Sequence, residues 1–133
     1  MNEEKLYLGI DWGESKIGLS IGNDTIKIAT PLKVVSSLDE IVQIVKDENI
    51  SEIIIGRPLS MNVLPGEDNP PLSKNFIDFF GKLKEATGLP VAMVDERLTT
   101  READRMIIDG SRKEDQDALA AMLILQSFFD KMS

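Results

Sequence analysis

The spacing of hydrophobic and polar positions changes several times along this chain, and each change marks a predicted element. Apolar residues alternate with polar ones over 5–11 and 15–21, which is typical of two antiparallel strands around a short glycine-containing turn. Residues 22–24 have the composition of a hairpin turn, and a third strand is predicted over 25–35. Pro31 lacks a backbone N–H, so we expect it at an edge or a bulge of that strand.

The rest of the chain alternates helices with short buried strands. Ser37 and Glu40 have the spacing of a capping box, and apolar residues follow them at helical intervals. The apolar runs 53–55 and 91–94 are typical of strands that helices cover on both faces. Helical spacing also predicts a helix that ends near Gly88, a short helix over 99–110 and a last helix over about 114–131.

This order of elements predicts an α/β fold. Its core is a five-stranded mixed sheet, in which an antiparallel three-strand meander is followed by two parallel strands, with helices on both faces. The sequence of 133 residues contains no repeat and no break in composition. We therefore expect a single domain over residues 1–133.

Composition narrows the chemistry that such a domain can perform. The chain has no Cys and no His, which excludes thiol catalysis, histidine acid–base chemistry and the usual zinc sites. A charged N-terminal segment and the lack of a long apolar run predict neither a signal peptide nor a membrane helix, so we expect a cytoplasmic protein. The net charge of −8 opposes nucleic-acid binding unless a basic face or bound cations offset it locally.

Three acidic residues are candidates for a common site. Asp11 lies where the first strand enters its turn, and Glu96 follows the last strand. Parallel strands end at the same edge of a sheet, so these two carboxylates should meet there. Asp117 lies on the predicted buried face of the last helix, close to its N-terminus. Each residue also has an ordinary structural explanation: Asp11 could cap a turn, Glu96 could form a surface ion pair, and Asp117 could be an acid in the first turn of a helix. Asp95 could also take the place of Glu96 as the functional acid.

Carboxylates that converge in this way need cations. Two carboxylates 4 Å apart repel by about 4 kcal/mol at an effective dielectric constant near 20. Oxygen ligands favour Mg²⁺ or Mn²⁺, and two such ions would reverse the local charge and attract a phosphodiester. A pair of divalent ions can also activate water for phosphoryl transfer, so the pattern indicates a metal-dependent nuclease that needs no histidine.

Several side chains are candidates for contact with a nucleic-acid backbone. They are polar or basic and lie near the ends of the predicted strands or just before the last helix. These substrate-binding candidates are Lys16, Arg57, Arg97, Thr99, Arg101 and Lys113. Taken one at a time, each is better explained as a solvated surface residue.

Four segments together resemble the YqgF/RuvX family of ribonuclease H-like proteins. They are 8–13 with 16–18, then 55–59, then the segment Asp-Glu-Arg-Leu-Thr-Thr over 95–100, and finally 117–121 with 124–126. The resemblance implies a ribonuclease H-like fold and an acidic metal site at Asp11, Glu96 and Asp117. Lys16 stands where Arg is common in the family and Arg57 where an apolar residue is common, and the loop 60–71 is longer and richer in proline. We expect these departures to affect substrate binding and substrate choice more than metal binding.

The resemblance also bears on substrate and partners. Family members are described as nucleases that process the 5′ end of the precursor of 16S ribosomal RNA, and as Holliday junction resolvases acting on branched DNA. Ribosomal particles are therefore an expected partner, and the protein is expected to be a monomer or a homodimer. The alternatives are a non-catalytic RNA-binding scaffold and an actin-like ATP-binding protein, whose first phosphate loop also has the strand–Asp-x-Gly–strand pattern.

Overall fold

The computed structural model describes residues 4–58, 72–95 and 113–132, and within them it leaves out the side chains of 95 and 113–115. The predicted helix over 99–110 and the loop 60–71 lie outside the described residues, as do Glu96, Arg97, Thr99 and Arg101. The elements are β1 (Leu6–Asp11), β2 (Ile17–Asn23), β3 (Thr30–Val35), α1 (Leu38–Asp47), β4 (Glu52–Arg57), α2 (Lys74–Thr87), β5 (Val91–Asp95) and α3 (Lys113–Lys131).

The five strands form one mixed sheet in the order β3-β2-β1-β4-β5. β1, β2 and β3 pair antiparallel, whereas β4 is parallel to β1 and β5 is parallel to β4. The predicted fold class is therefore confirmed. Pro31 lies in β3, at the edge of this sheet and beside a shift in register between Leu19 and Ser20, as its missing N–H requires.

The third strand is shorter than the sequence pattern predicts. It begins at Thr30, because residues 24–26 form a turn and residues 27–29 have no regular structure. The Asn23 side-chain oxygen accepts hydrogen bonds from the backbone N–H groups of Thr25 and Ile26, at 3.1 and 2.8 Å. Lys27 adopts a left-handed conformation with φ of 59°, which no strand accommodates. The prediction of a strand from residue 25 is thus wrong.

Two apolar clusters lie on opposite faces of the sheet. Leu8 and Ile10 of β1 point toward α1 and α2, where they pack with residues such as Ile41 and Phe76. On the other face, α3 packs against Tyr7 and its neighbours. Helices therefore cover both faces of the sheet, as predicted. None of the helices in the described part of the chain has the length and apolarity that crossing a membrane requires.

Local signals in the sequence set the ends of α1 and α2. Ser37 and Glu40 form the predicted capping box, with the side chain of each accepting from the backbone of the other. α2 begins after Ser73, whose side chain accepts from the N–H of Phe76, and ends at Gly88 in a left-handed conformation with φ of 66°.

The buried face of α3 includes Ala121 and Ile124, two residues that helical spacing places on the same face as Asp117. Leu125 and Phe129 are buried against the sheet as well. The C-terminal aromatic pair does not form an exposed end, because the rings of Phe128 and Phe129 lie 5.4 and 5.6 Å from the ring of Tyr7. These contacts bury the C-terminal end of α3 against the sheet.

Candidate active site

The carboxyl ends of three parallel strands meet at one edge of the sheet. Ile10 of β1 pairs with Ile55 of β4, and Arg57, the last residue of β4, pairs with Asp95 at the end of β5. Asp11 thus ends β1 at the edge where β4 and β5 also end. The sequence prediction that the Asp11 end and the end of the last strand share an edge is confirmed for the backbone.

Strand alternation places Asp11 on the face that α3 covers. Tyr7 contacts the rings of α3, and a Cβ at Gly9 would lie 2.9 Å from both the Ala121 carbonyl oxygen and the Leu125 Cβ. Because successive side chains of a strand point to opposite faces, Asp11 follows Tyr7 and Gly9 onto this face. Its side chain is partly buried.

Gly18 brings Asp117 to the same place. Gly18 pairs directly with Asp11 across the antiparallel β1–β2 ladder. A Cβ at Gly18 would overlap the Asp117 carbonyl group and lie 2.9 Å from the backbone nitrogen of Ala118. The backbone of α3 at Asp117 therefore rests on the strand residue beside Asp11, although the two acidic residues are far apart in the sequence.

A second contact fixes the position of α3 along the sheet. Ser20 is fully buried, and its hydroxyl donates a hydrogen bond of 2.7 Å to the carbonyl oxygen of Ala121. One further step along β2, a Cβ at Gly22 would lie 2.7 Å from the ring of Phe129. α3 thus runs along β2 in the same direction, with its N-terminal end at the edge that carries Asp11.

This arrangement brings the backbones of two of the three predicted ligand residues to one edge of the sheet. Asp11 and Asp117 are both partly buried, and each takes part in interactions with other residues. Across the side chains of residues 4–58, 72–94 and 116–132, no three acidic groups lie closely enough to hold a metal ion. Glu96 lies outside these ranges, so the predicted trio of ligands stays a prediction.

The turn that carries Lys16 is held against the first turns of α2. The ring of Trp12 packs at 5.5 Å from that of Phe76, and the side chain of Asn75 donates a hydrogen bond of 2.8 Å to Glu14. A Cβ at Gly13 would lie 2.7 Å from the Lys16 carbonyl oxygen, so the turn is too tight for a larger residue there. Lys16 itself is exposed and follows Asp11 closely enough to border the same edge.

The remaining predicted substrate contacts are less closely placed. Arg57 ends β4 at the Asp11 edge, but strand alternation puts it on the face of Ile53 and Ile55, which pack toward α1 and α2. Lys113 is the first residue of α3 and therefore lies at the helix end nearest the Asp11 edge, although the structure does not describe its side chain. The contacts of these residues with nucleic acid stay predictions.

Sequence analysis missed the small residues that position α3. Gly18, Ser20 and Gly22 occupy alternate positions of β2 and leave room for the helix backbone on one face. Their period of two was visible in the sequence, as were the alanines of the helix that packs there. At Gly18 the space beside the strand is occupied by the backbone of Asp117.

Comparison with known proteins agrees with this geometry. Residues 5–131 match the family described as "RuvX: Holliday junction resolvase". The chain is 36% identical over 138 residues to a protein of Dictyoglomus turgidum named "Putative pre-16S rRNA nuclease", covering 95% of this chain and 94% of that one. A relative of the same name from Roseiflexus sp. is 34% identical, with 97% and 96% covered.

Solved structures of RuvC from Thermus thermophilus share the fold. One superimposes with a TM-score of 0.60 at 15% identity, covering 96% of each chain. Another, in complex with a Holliday junction substrate, gives a TM-score of 0.55 at 16% identity, covering 97% of this chain and 96% of that one. The fold is thus ribonuclease H-like, and the class of protein is that of the hydrolytic nucleases. Within this class, the chain belongs to the RuvX family.

Proposed function

We propose that this protein is a divalent-metal-dependent nuclease whose physiological substrate is the 5′ end of the precursor of 16S ribosomal RNA. The observation that carries the proposal is the contact of Asp117 with Gly18, which pairs with Asp11. It brings two acidic residues from distant elements to the edge where parallel strands end. The relatives named as pre-16S rRNA nucleases, which match this chain over almost its whole length, support the choice of substrate.

The residues at this edge suit Mg²⁺ or Mn²⁺. Asp11 and Asp117 supply hard oxygen ligands, and the site contains no nitrogen or sulfur ligand, because the chain has neither His nor Cys. The N-terminal end of α3 partly compensates a negative charge near it, by about 0.3–1 kcal/mol. Ions held by these residues would supply an activated water as the nucleophile and charge stabilisation for the oxygen that leaves the phosphorus.

Glu96 is our choice for the third ligand, in preference to Asp95. Val94 belongs to the apolar cluster on the α3 face, the face of Asp11. In a strand that keeps its period of two, the next position on that face is 96 and not 95. Glu96→Gln should therefore abolish activity, whereas Asp95→Asn should retain most of it.

The other chain residues hold and orient the substrate. Lys16, on the turn clamped against α2, would contact a phosphate beside the scissile one, and its exposed position leaves it accessible to a polyanion. Arg97, Thr99, Arg101 and Lys113 would extend this contact along the nucleic-acid backbone, with Arg57 on the neighbouring strand end. These contacts would let an acidic protein bind RNA at one edge.

The test is cleavage of an RNA that contains the 5′ leader and the start of 16S rRNA, with Mg²⁺ or Mn²⁺ and with chelator. We expect metal-dependent cleavage by the wild type and none by Asp11→Asn or Asp117→Asn. The matched control is Asp47→Asn, since Asp47 is an exposed acid at the distant end of α1 and should tolerate the change. Equal cleavage by the wild type and Asp11→Asn would reject the metal site.

A second substrate is supported by the description of the family as Holliday junction resolvases. A four-way DNA junction, assayed beside the RNA at the same ionic strength, separates the two. Symmetric cleavage of the junction at rates above those on the precursor RNA would favour DNA as the substrate. Both substrates would depend on the same carboxylates, so this comparison decides the substrate without altering the proposed site.

A further inference from the structure

The turn between β2 and β3 exposes an apolar surface at the end of the sheet away from Asp11. Ile26 and Ile28 are 63% and 60% exposed, more than any other large hydrophobic residue in the described part of the chain. Together with Leu6 and Ile21 they line a groove of about 430 Å³. Single exposed apolar residues are ordinary, but two that project beside an apolar groove are typical of an interaction surface.

This turn is held in a fixed shape. The side chain of Gln126 in α3 accepts a hydrogen bond of 2.9 Å from the N–H of Ala29 and donates one of 3.0 Å to the carbonyl oxygen of Lys27. The Asn23 side chain caps the start of the turn. Lys27 keeps its left-handed conformation, which costs a non-glycine residue about 1 kcal/mol. A surface that is ordered before binding loses less entropy when it binds.

The surface is separate from the acidic site. Leu6 pairs with Asn23 at one end of the β1–β2 ladder, and Asp11 pairs with Gly18 at the other. Five residue steps of about 3.3 Å each put about 17 Å between the two ends of β1. A partner bound at the groove would therefore leave the Asp11 edge open.

The charges of this surface match a second copy of the same surface. Lys27 lies between the two exposed isoleucines, and Glu48, an exposed residue, lines the groove. The surface thus presents a positive and a negative side chain side by side, although the whole chain carries a net charge of −8. In a two-fold symmetric interface, if one residue of the first copy contacts a second residue of the other copy, the reverse contact also forms. The projecting isoleucines of each copy can therefore enter the groove of the other, and the lysine of each copy can meet the glutamate of the other.

We propose that the protein forms a two-fold symmetric homodimer through this surface, with Ile26 and Ile28 of each copy entering the groove of the other and Lys27 pairing with the partner copy's glutamate at position 48. The Asp11 edges of the two copies then lie at the outer ends of the dimer, and each remains accessible. Eight residues of the described part of the chain line the groove, fewer than the roughly 20–30 residues a side of a standard interface, so we expect micromolar dissociation.

Sedimentation velocity of the purified full chain over about 1–500 μM, a span that brackets micromolar affinity, tests this proposal. We expect a concentration-dependent dimer for the wild type and a monomer for the double variant Ile26→Glu/Ile28→Glu. The matched control is Ile77→Glu, since Ile77 is also exposed, at 53%, but lies on α2 and outside the groove. It should dimerise like the wild type.

A charge exchange tests the specific pairing. Lys27→Glu alone should weaken the dimer at least tenfold, and adding Glu48→Lys should restore it. A wild type that stays monomeric throughout the range would overturn the proposal, as would a dimer that survives in the Ile26→Glu/Ile28→Glu variant. Far-UV circular dichroism verifies that each variant is folded, and neither readout depends on nuclease activity.

Discussion

Gly18→Ala tests the contact on which the candidate site depends. The added methyl group would point at the face covered by α3 and overlap the carbonyl group of Asp117. Backbone atoms cannot rotate away as a side chain can, so the helix must lift from the sheet. Asp11 lies on the neighbouring strand and would stay in place, so the backbone of Asp117 would move away from it.

The expected cost follows from the geometry. Overpacking in a well-packed interior costs about 1–3 kcal/mol, whereas alanine ordinarily gains up to about 1 kcal/mol over glycine within a regular element. We therefore expect a net loss of about 1–2 kcal/mol in the free energy of unfolding. A displacement of about 1 Å at a catalytic group costs activity about 100-fold, so metal-dependent cleavage should fall by this order while the fold survives.

Urea unfolding and the cleavage assay measure the two effects. The matched control is Gly81→Ala in α2, where an added Cβ would have no atom within 4 Å. This variant should gain about 0.5–1 kcal/mol from its helix propensity and keep full activity. If Gly18→Ala were as stable and as active as Gly81→Ala, the close contact between α3 and β2 would not position the site.

Three further predictions concern a buried hydrogen bond, the metal site and the cap of α1. Ser20→Ala removes a buried hydrogen bond to the α3 backbone and should lower the free energy of unfolding by about 1 kcal/mol, as urea titration would show; no change would contradict its role in fixing α3. Trp12, the sole tryptophan, directly follows Asp11, so Mn²⁺ should quench its fluorescence in the wild type but not in Asp11→Asn, and equal quenching in both would place the metal elsewhere. A hydrogen bond from the backbone of Ser36 is the main cause that holds the pKa of the Glu40 carboxyl below its usual value. The cap therefore stabilises the fold above the unfolded pKa, and this contribution is lost as pH falls through the lower folded pKa; thermal melts should show a weaker acid dependence for Glu40→Gln, and identical profiles would contradict this linkage.

The net negative charge of the chain is compatible with a polyanionic substrate only if positive charge is concentrated at the binding site. Bound divalent ions would offset the carboxylates at the Asp11 edge, and Lys16 lies on the adjoining turn. Binding should therefore depend on both the metal and the salt concentration. The groove at the opposite end of the sheet would take no part in it.

Much of the fold could be predicted from residues that act over a few positions. The capping box of Ser37 and Glu40 and the left-handed Gly88 set helix ends through bonds to their own neighbours. Continuous apolar runs predicted the strands at 53–55 and 91–94, because a strand covered on both faces has no polar side. Asp11 was identified from its place where the first strand, with its alternating apolar and polar residues, enters a turn.

Contacts between distant segments decided the rest. The alternation along β2 indicates which face of the strand is buried, but not which turn of a helix packs on that face. The hydrogen bond from Ser20 to Ala121, 101 residues apart, fixes the position of α3 along β2 and so places Asp117 near Asp11. Likewise, alternation favoured a strand from residue 25, whereas the turn there is held by Gln126, 97 residues from Ala29. Local patterns specify faces and ends of elements, because they depend on neighbouring residues. The meeting of two acidic residues depends on packing between elements, which no local pattern contains.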